Sequence, residues 1–155
     1  MIYIITGKIN SYKTTRLQEL YNTLKGDGFV SVKHMSQNKV LYYHIERLSD
    51  QSKSMFAIHK DHYPVLFEKV EQLGPYVFDK TVFEMVETTM EQCIKERISP
   101  LFIDEIGLLE MNHLGFYNTL KQLINSGLDV YFTCRTSLVE SVVKTFNIKA
   151  YKQLD

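Results

Sequence analysis

The chain has 155 residues, a length that suits one domain whose core buries about 70% of the unfolded surface without metal or disulfide support. Its 18 basic and 18 acidic residues cancel, and neither sign forms a long run, which excludes the broad charged footprint of a nucleic-acid or anionic-membrane binder. Cys93 and Cys134 are too far apart in sequence for a disulfide framework or zinc-ligand pattern, and no apolar run has the length of a secretory signal or membrane span. The expectation is one cytoplasmic domain over residues 1–155 with reduced thiols.

Residues 2–6 read as a buried strand, an apolar β-rich run ending at Gly7. Leu17, Leu20, Tyr21 and Leu24 recur at helical spacing, with Gly26 and Gly28 as stop signals. From Phe29 to about Lys60, short β-rich segments at 29–32, 40–45 and 55–58 alternate with polar turns, the pattern of an antiparallel meander. Its aromatics, Tyr42, Tyr43, Phe56 and nearby Tyr63, read as a small core of their own, with base stacking as the alternative. Residues 76–78 suggest another strand, and Val82, Phe83, Val86, Met90, Cys93 and Ile94 mark a helix over 81–97.

A second buried strand runs from Pro100 into Asp104-Glu105, and a helix follows over about 116–125. Residues 129–134 form a third buried strand. A last helix over 137–146 has Ser137 as its expected cap with Glu140 three residues on, and 150–152 suggest a closing strand. Strands alternating with helices predict an α/β fold with a mainly parallel sheet, the meander at about 29–60 being a small insertion. The five histidines, His34, His44, His59, His62 and His113, have no metal-ligand spacing.

Chemistry concentrates at the first strand–helix junction. Gly7-Lys8-Ile9-Asn10-Ser11-Tyr12-Lys13-Thr14 matches the phosphate-loop pattern G-x-x-x-x-G-K-[ST] except that Tyr12 replaces the second glycine. Backbone N–H groups at such a junction, backed by the positive end of a helix, make an anion site. Lys13 is placed to reach terminal phosphates and Thr14 to ligate Mg²⁺, while Thr15 is placed for an inner phosphate. Asp104, at a strand end about ninety residues later, suits the metal side. Glu105 suits activation of the attacking water.

Ile103 to Glu110 reads I-D-E-I-G-L-L-E, which resembles the D-E-I-G-x-M-E signature of the small P-loop nucleoside-triphosphatases known as the cancer-related NTPase family. Leu109 stands for the usual methionine, a volume-conserving change. The resemblance covers most of the chain. It implies a three-layer, RecA-like P-loop NTPase sheet and Mg²⁺-dependent, slow hydrolysis of ATP, GTP and other nucleoside triphosphates. By position it makes Gly7 to Thr15 the nucleotide-binding residues, Thr14 and Asp104 the metal side, and Lys13 and Glu105 catalytic. Glu110 reads equally as a site-lining residue or a first-turn acid. Thr133 and Arg135 are candidates to sense the terminal phosphate, though Arg135 suits a surface cation better.

Tyr12 departs from the family pattern. A left-handed backbone costs a non-glycine residue roughly 1–2 kcal/mol, so nucleotide affinity is expected to weaken about tenfold or more. One alternative reading is a degenerate binding module with little hydrolysis, which intact Lys13, Thr14, Asp104 and Glu105 oppose. Another is a nucleotide or nucleoside kinase, which the four unclustered arginines, Arg16, Arg47, Arg97 and Arg135, do not favour.

Overall fold

The computed structural model describes residues 1–64 and 67–155. The chain opens with β1 (Ile2–Gly7), turns into α1 (Lys13–Leu24), and continues through β2 (Asp27–Ser36), β3 (Lys39–Arg47) and β4 (Lys53–His59). A hairpin of β5 (Val70–Leu73) and β6 (Tyr76–Asp79) leads into α2 (Lys80–Lys95). The remainder is β7 (Leu101–Ile106), a short α3 (Leu108–Met111), α4 (Tyr117–Asn125), β8 (Val130–Arg135), α5 (Val139–Thr145) and β9 (Tyr151–Leu154).

Among the described residues these strands form one sheet in the order β5-β6-β4-β3-β2-β7-β8-β1-β9. From β2 to β9 every neighbouring pair is parallel; from β2 to β5 every pair is antiparallel. The expectation of a mainly parallel sheet with a small insertion is corrected here, because the antiparallel strands make up half of the same sheet. β2 is the seam. Its residues Asp27 to Phe29 pair with β7, and nearly its whole length pairs with β3. Gln37 and Asn38, both with positive φ (49° and 63°), close the β2–β3 hairpin in the two-residue geometry that matches strand twist.

The central strands are apolar throughout because helices cover both faces. With side chains alternating along each strand, Ile4, Leu101, Ile103, Val130 and Phe132 face the core shared with α2, α4 and α5. Ile5, Phe102 and Tyr131 face α1, where Leu17 is fully buried. Burying a leucine of this kind contributes roughly 1.5–3 kcal/mol, and here it pins the helix that carries Lys13 and Thr14. At Gly28 (φ 156°) a Cβ would lie 2.1 Å from the Phe102 carbonyl oxygen, so only glycine lets β2 approach β7 this closely.

Two further expectations change. The last helix is not capped by Ser137. Residues Thr136–Leu138 make a 3₁₀ turn, and α5 begins at Val139 without a side-chain cap. Burial of Val139 and Val142 sets where the helix docks. The aromatics Tyr43 and Phe56 do not form a separate core; they join Phe83 of α2 and Phe116 in the main one. The segments β5 and α3, four residues each, are too short for periodicity to reveal. No helix among the described residues is long and apolar enough to cross a membrane.

Candidate active site

Residues 7–12 link β1 to α1 as a tight loop. A Cβ on Gly7 would fall 2.1 Å from Ser11 Oγ and 3.3 Å from Lys13 Cγ, so any larger residue would push the Ser11 and Lys13 side chains out of their present places. The Lys8 carbonyl accepts from both Ser11 Oγ and Lys13 Nζ, each at 2.7 Å. That holds the mostly buried Lys13 ammonium inside the loop's curve. Asn10 and Tyr12 both adopt left-handed conformations, with Tyr12 at φ 63° and ψ 23°. Tyr12 thus occupies the backbone region that glycine would take freely. It is the N-cap of α1, makes no side-chain capping bond, and has its ring directed outward with 80% of the residue exposed. Lys8, Ile9 and Thr15 are also exposed, while the first-turn N–H groups of α1, which a helix leaves without internal acceptors, back the loop.

The acids stand at the end of β7 on a β-bulge. Ile103 pairs with Phe132 and Ile106 with Cys134, so β7 carries one extra residue against β8. Glu105 sits in that bulge at φ 63° and is exposed toward the cleft, a re-aiming that bulges provide.

Asp104 is buried and fully engaged. Its Oδ2 accepts from Thr14 Oγ1 (2.7 Å) and the Ser31 N–H (3.1 Å); its Oδ1 accepts from Thr133 Oγ1 (2.5 Å) and the Glu105 N–H (3.1 Å). The Thr133 hydroxyl oxygen also accepts from the Glu105 N–H at 2.8 Å. Burial, and then the Glu105 charge, push the Asp104 carboxyl up to about 6, against the hydrogen bonds from Thr133, Thr14 and Ser31 that hold it down.

The loop, Ser31, Lys33 and Glu105 enclose an open cleft of about 440 Å³. The structure therefore brings Tyr12, Lys13, Thr14 and Glu105 to one cleft, with Asp104 directly behind Thr14. Thr133 lies among the supports of the acid pair, and Arg135 is exposed at the end of β8 on the far side of Glu105. Glu110 is tied up by its own loop. Its carboxylate accepts from the Gly107 and Phe116 N–H groups, both at 2.8 Å, and burial raises it to about 7.

Two contributors escaped the sequence reading. Ser31 supplies a backbone N–H to Asp104, and Lys33 donates to Asn10 Oδ1 at 2.8 Å, adding a cation to the cleft. A polar Ser31 within the apolar run 29–32 is the one sequence signal for the first. Nothing local marks the second.

A glycine-closed loop with a buried lysine, a helix N-terminus behind it, and a hydroxyl bonded to a strand-end carboxylate define a phosphate-binding-loop nucleotide protein. A family model described as NTPase matches residues 2–153. The nucleoside-triphosphatase THEP1 of Thermoplasma acidophilum is 27% identical over 134 residues, spanning 83% of this chain and 71% of that protein. The solution structure of a human cancer-related nucleoside triphosphatase superposes with a TM-score of 0.70 at 20% identity, over 99% of this chain and 87% of that one. The crystal structure of THEP1 from the hyperthermophile Aquifex aeolicus gives 0.71 at 20% identity, over 100% and 89%. The two structures share the fold. The chain belongs to the NTPase family, the nucleoside-triphosphatases.

Proposed function

We propose that this chain hydrolyses ATP, GTP and related nucleoside triphosphates to the diphosphate and phosphate, with Mg²⁺, through the cleft between residues 7–15 and the end of β7. The observation that carries this reading is the 2.7 Å bond from Thr14 Oγ1 to Asp104 Oδ2. It joins the loop's metal-side hydroxyl to the acid from a strand ninety residues away.

The donors fit Mg²⁺. They are hard oxygens, from the Thr14 hydroxyl and the Asp104 carboxylate. Mg²⁺ typically keeps waters and phosphate oxygens in its shell and takes only one or two protein ligands. Thr14 would hold it directly and Asp104 through water, and the bound ion would supply positive charge to offset what develops on the phosphates.

The other roles belong to the chain's own groups. Gly7 to Thr15 supply N–H groups and the Lys13 ammonium to the phosphates. Glu105 takes the proton of the attacking water as its oxygen bonds to the terminal phosphorus, and the bond from that phosphorus to the bridging oxygen breaks. Thr133 and the bulge hold Glu105 in place by its N–H. The Tyr12 backbone already has the shape the loop needs, so its strain bears on stability more than on affinity.

The strand β8 between β1 and β7, separating the loop-bearing strand from the acid-bearing one, supports a RecA-like arrangement. Continuous pairing across all nine strands supports a single domain. Two buried free thiols, Cys93 and Cys134, suit a reducing cytoplasm.

Phosphate release from ATP and GTP, with Glu105→Gln as the control, tests the reading. Loss of the base is expected to lower kcat by about 10²–10⁴ while nucleotide binding persists. Turnover unchanged by that substitution would refute the assignment.

A further inference from the structure

We infer that a second cavity, on the other side of Glu105 from the phosphate loop, is a binding site for a small planar aromatic compound carrying an N–H or O–H donor. The cavity measures about 190 Å³. Tyr43, Phe56, Tyr76, Phe78, Phe83 and Phe116 wall it, rings brought together from β3, β4, β6, α2 and the entry to α4. They meet mostly edge to face: Phe83 and Phe116 at 4.9 Å between centroids, Tyr43 and Tyr76 at 5.4 Å, Phe56 and Phe83 at 6.0 Å. A ring inserted among them finds the edge and face partners that aromatic pairs favour.

Size and polarity narrow the ligand. An apolar cavity of about 150 Å³ takes up benzene, so this one suits a substituted ring or a compact fused pair. The polar groups are few, as in small-molecule sites generally. The carboxylate of Glu105 and the guanidinium of Arg135 stand at its edge, and Glu110 forms part of the wall. With Glu110 held by the Gly107 and Phe116 N–H groups, the charges of Glu105 and Arg135 offset one another at the edge, which suits a neutral ligand and separates this site from the triphosphate cleft.

The independent observation is Ser31. Its residue is only 5% exposed, and its Oγ is buried without a hydrogen-bond partner among the described residues. It borders both this cavity and the loop cleft. A buried hydroxyl normally has a partner, and a ring donor or acceptor here would supply one. Because Glu105 borders both cavities, a donor on the ring also engages the carboxylate that receives the water's proton. Occupancy therefore slows hydrolysis without displacing nucleotide. That consequence rests on Glu105 being the base; the binding itself does not.

Benzimidazole is a suitable probe, titrated into the full chain and followed by aromatic-ring NMR and by phosphate release. Expected are shifts at Tyr43, Tyr76 and Phe83 at millimolar or lower concentration, and a falling kcat at constant nucleotide KM. Ser31→Ala should weaken binding about threefold, the loss of one hydrogen bond. Leu108→Trp, which adds a ring at an exposed position bordering the cavity, should weaken it about tenfold or more and leave probe-free hydrolysis in place. Absence of ring shifts, shifts confined to residues 7–15, or binding indifferent to both substitutions overturns the site. Ring binding with no hydrolysis in the unaltered chain instead refutes the enzymatic reading and leaves the site standing.

Discussion

Replacing Tyr12 by glycine separates two places where backbone strain can act. Tyr12 holds φ 63° in the folded chain, which therefore carries the roughly 1–2 kcal/mol of left-handed strain. Glycine relieves it but gains freedom in the unfolded state, an offset of about 0.4–1 kcal/mol. The ring contributes little, being 80% exposed with no capping bond. The net expectation is a stabilisation between about zero and 1.5 kcal/mol. For a chain of this size, at about 2–4 °C per kcal/mol, that is a rise in Tm of up to about 6 °C. Nucleotide affinity, measured by titrating ATP with Mg²⁺, should change less than about threefold, or about 0.7 kcal/mol. The tenfold weakening expected from sequence requires instead that the strain arise on binding. A tenfold gain in affinity at unchanged Tm would refute the preformed-loop argument. A clear fall in Tm would show that the ring makes contacts that stabilise the fold.

Two other predictions concern buried carboxylates. Thr133→Val removes the donor to Asp104 Oδ1 and the acceptor of the Glu105 N–H; a loss of about 1–3 kcal/mol should appear in thermal melts together with reduced kcat. Thr133→Ser should restore both, and a valine variant with wild-type kcat would exclude a positioning role. Glu110 titrates near 4.5 when unfolded and at about 7 when folded, because burial disfavours its charge, with Glu105 adding a smaller push against the Gly107 and Phe116 N–H bonds. The folded state then binds more protons between those values, so the contribution of Glu110 to stability is fully present below about pH 4.5 and is lost as pH rises to about 7, by on the order of 3 kcal/mol. Urea melts across that range should lose this component in Glu110→Gln; an unchanged slope would assign the dependence elsewhere.

Much of the site is readable along the chain because its signals are local. Gly7, Lys13 and Thr14 lie within one strand–helix junction, and Asp104-Glu105 end an apolar run. Their types and spacing announce phosphate, metal and water chemistry before any contact is known. The contacts of Thr133 are not readable along the chain for the converse reason. Its hydroxyl serves Asp104 and Glu105 across a strand pairing, and pairing is invisible to spacing. Position in a first turn leaves Glu110 open between two readings, and only the tertiary structure shows its carboxylate accepting from the Gly107 and Phe116 N–H groups.

The same division holds for the fold. Composition and periodicity specify an α/β chain with buried strands at 2–6, 100–105 and 129–134, because two-sided burial demands unbroken apolar runs. They do not say that β2 pairs parallel with β7 along three residues and antiparallel with β3 along nearly its whole length, since the same β-rich segment serves either partner. Nor do they reveal the extra residue that aims Glu105, or the left-handed Tyr12 with its ring in solvent. Those features come from register and packing, which bring Thr14, Ser31 and Thr133 each within hydrogen-bond distance of Asp104. Residue type along the chain supplies the chemistry of this protein; long-range register decides which groups meet and which way they face.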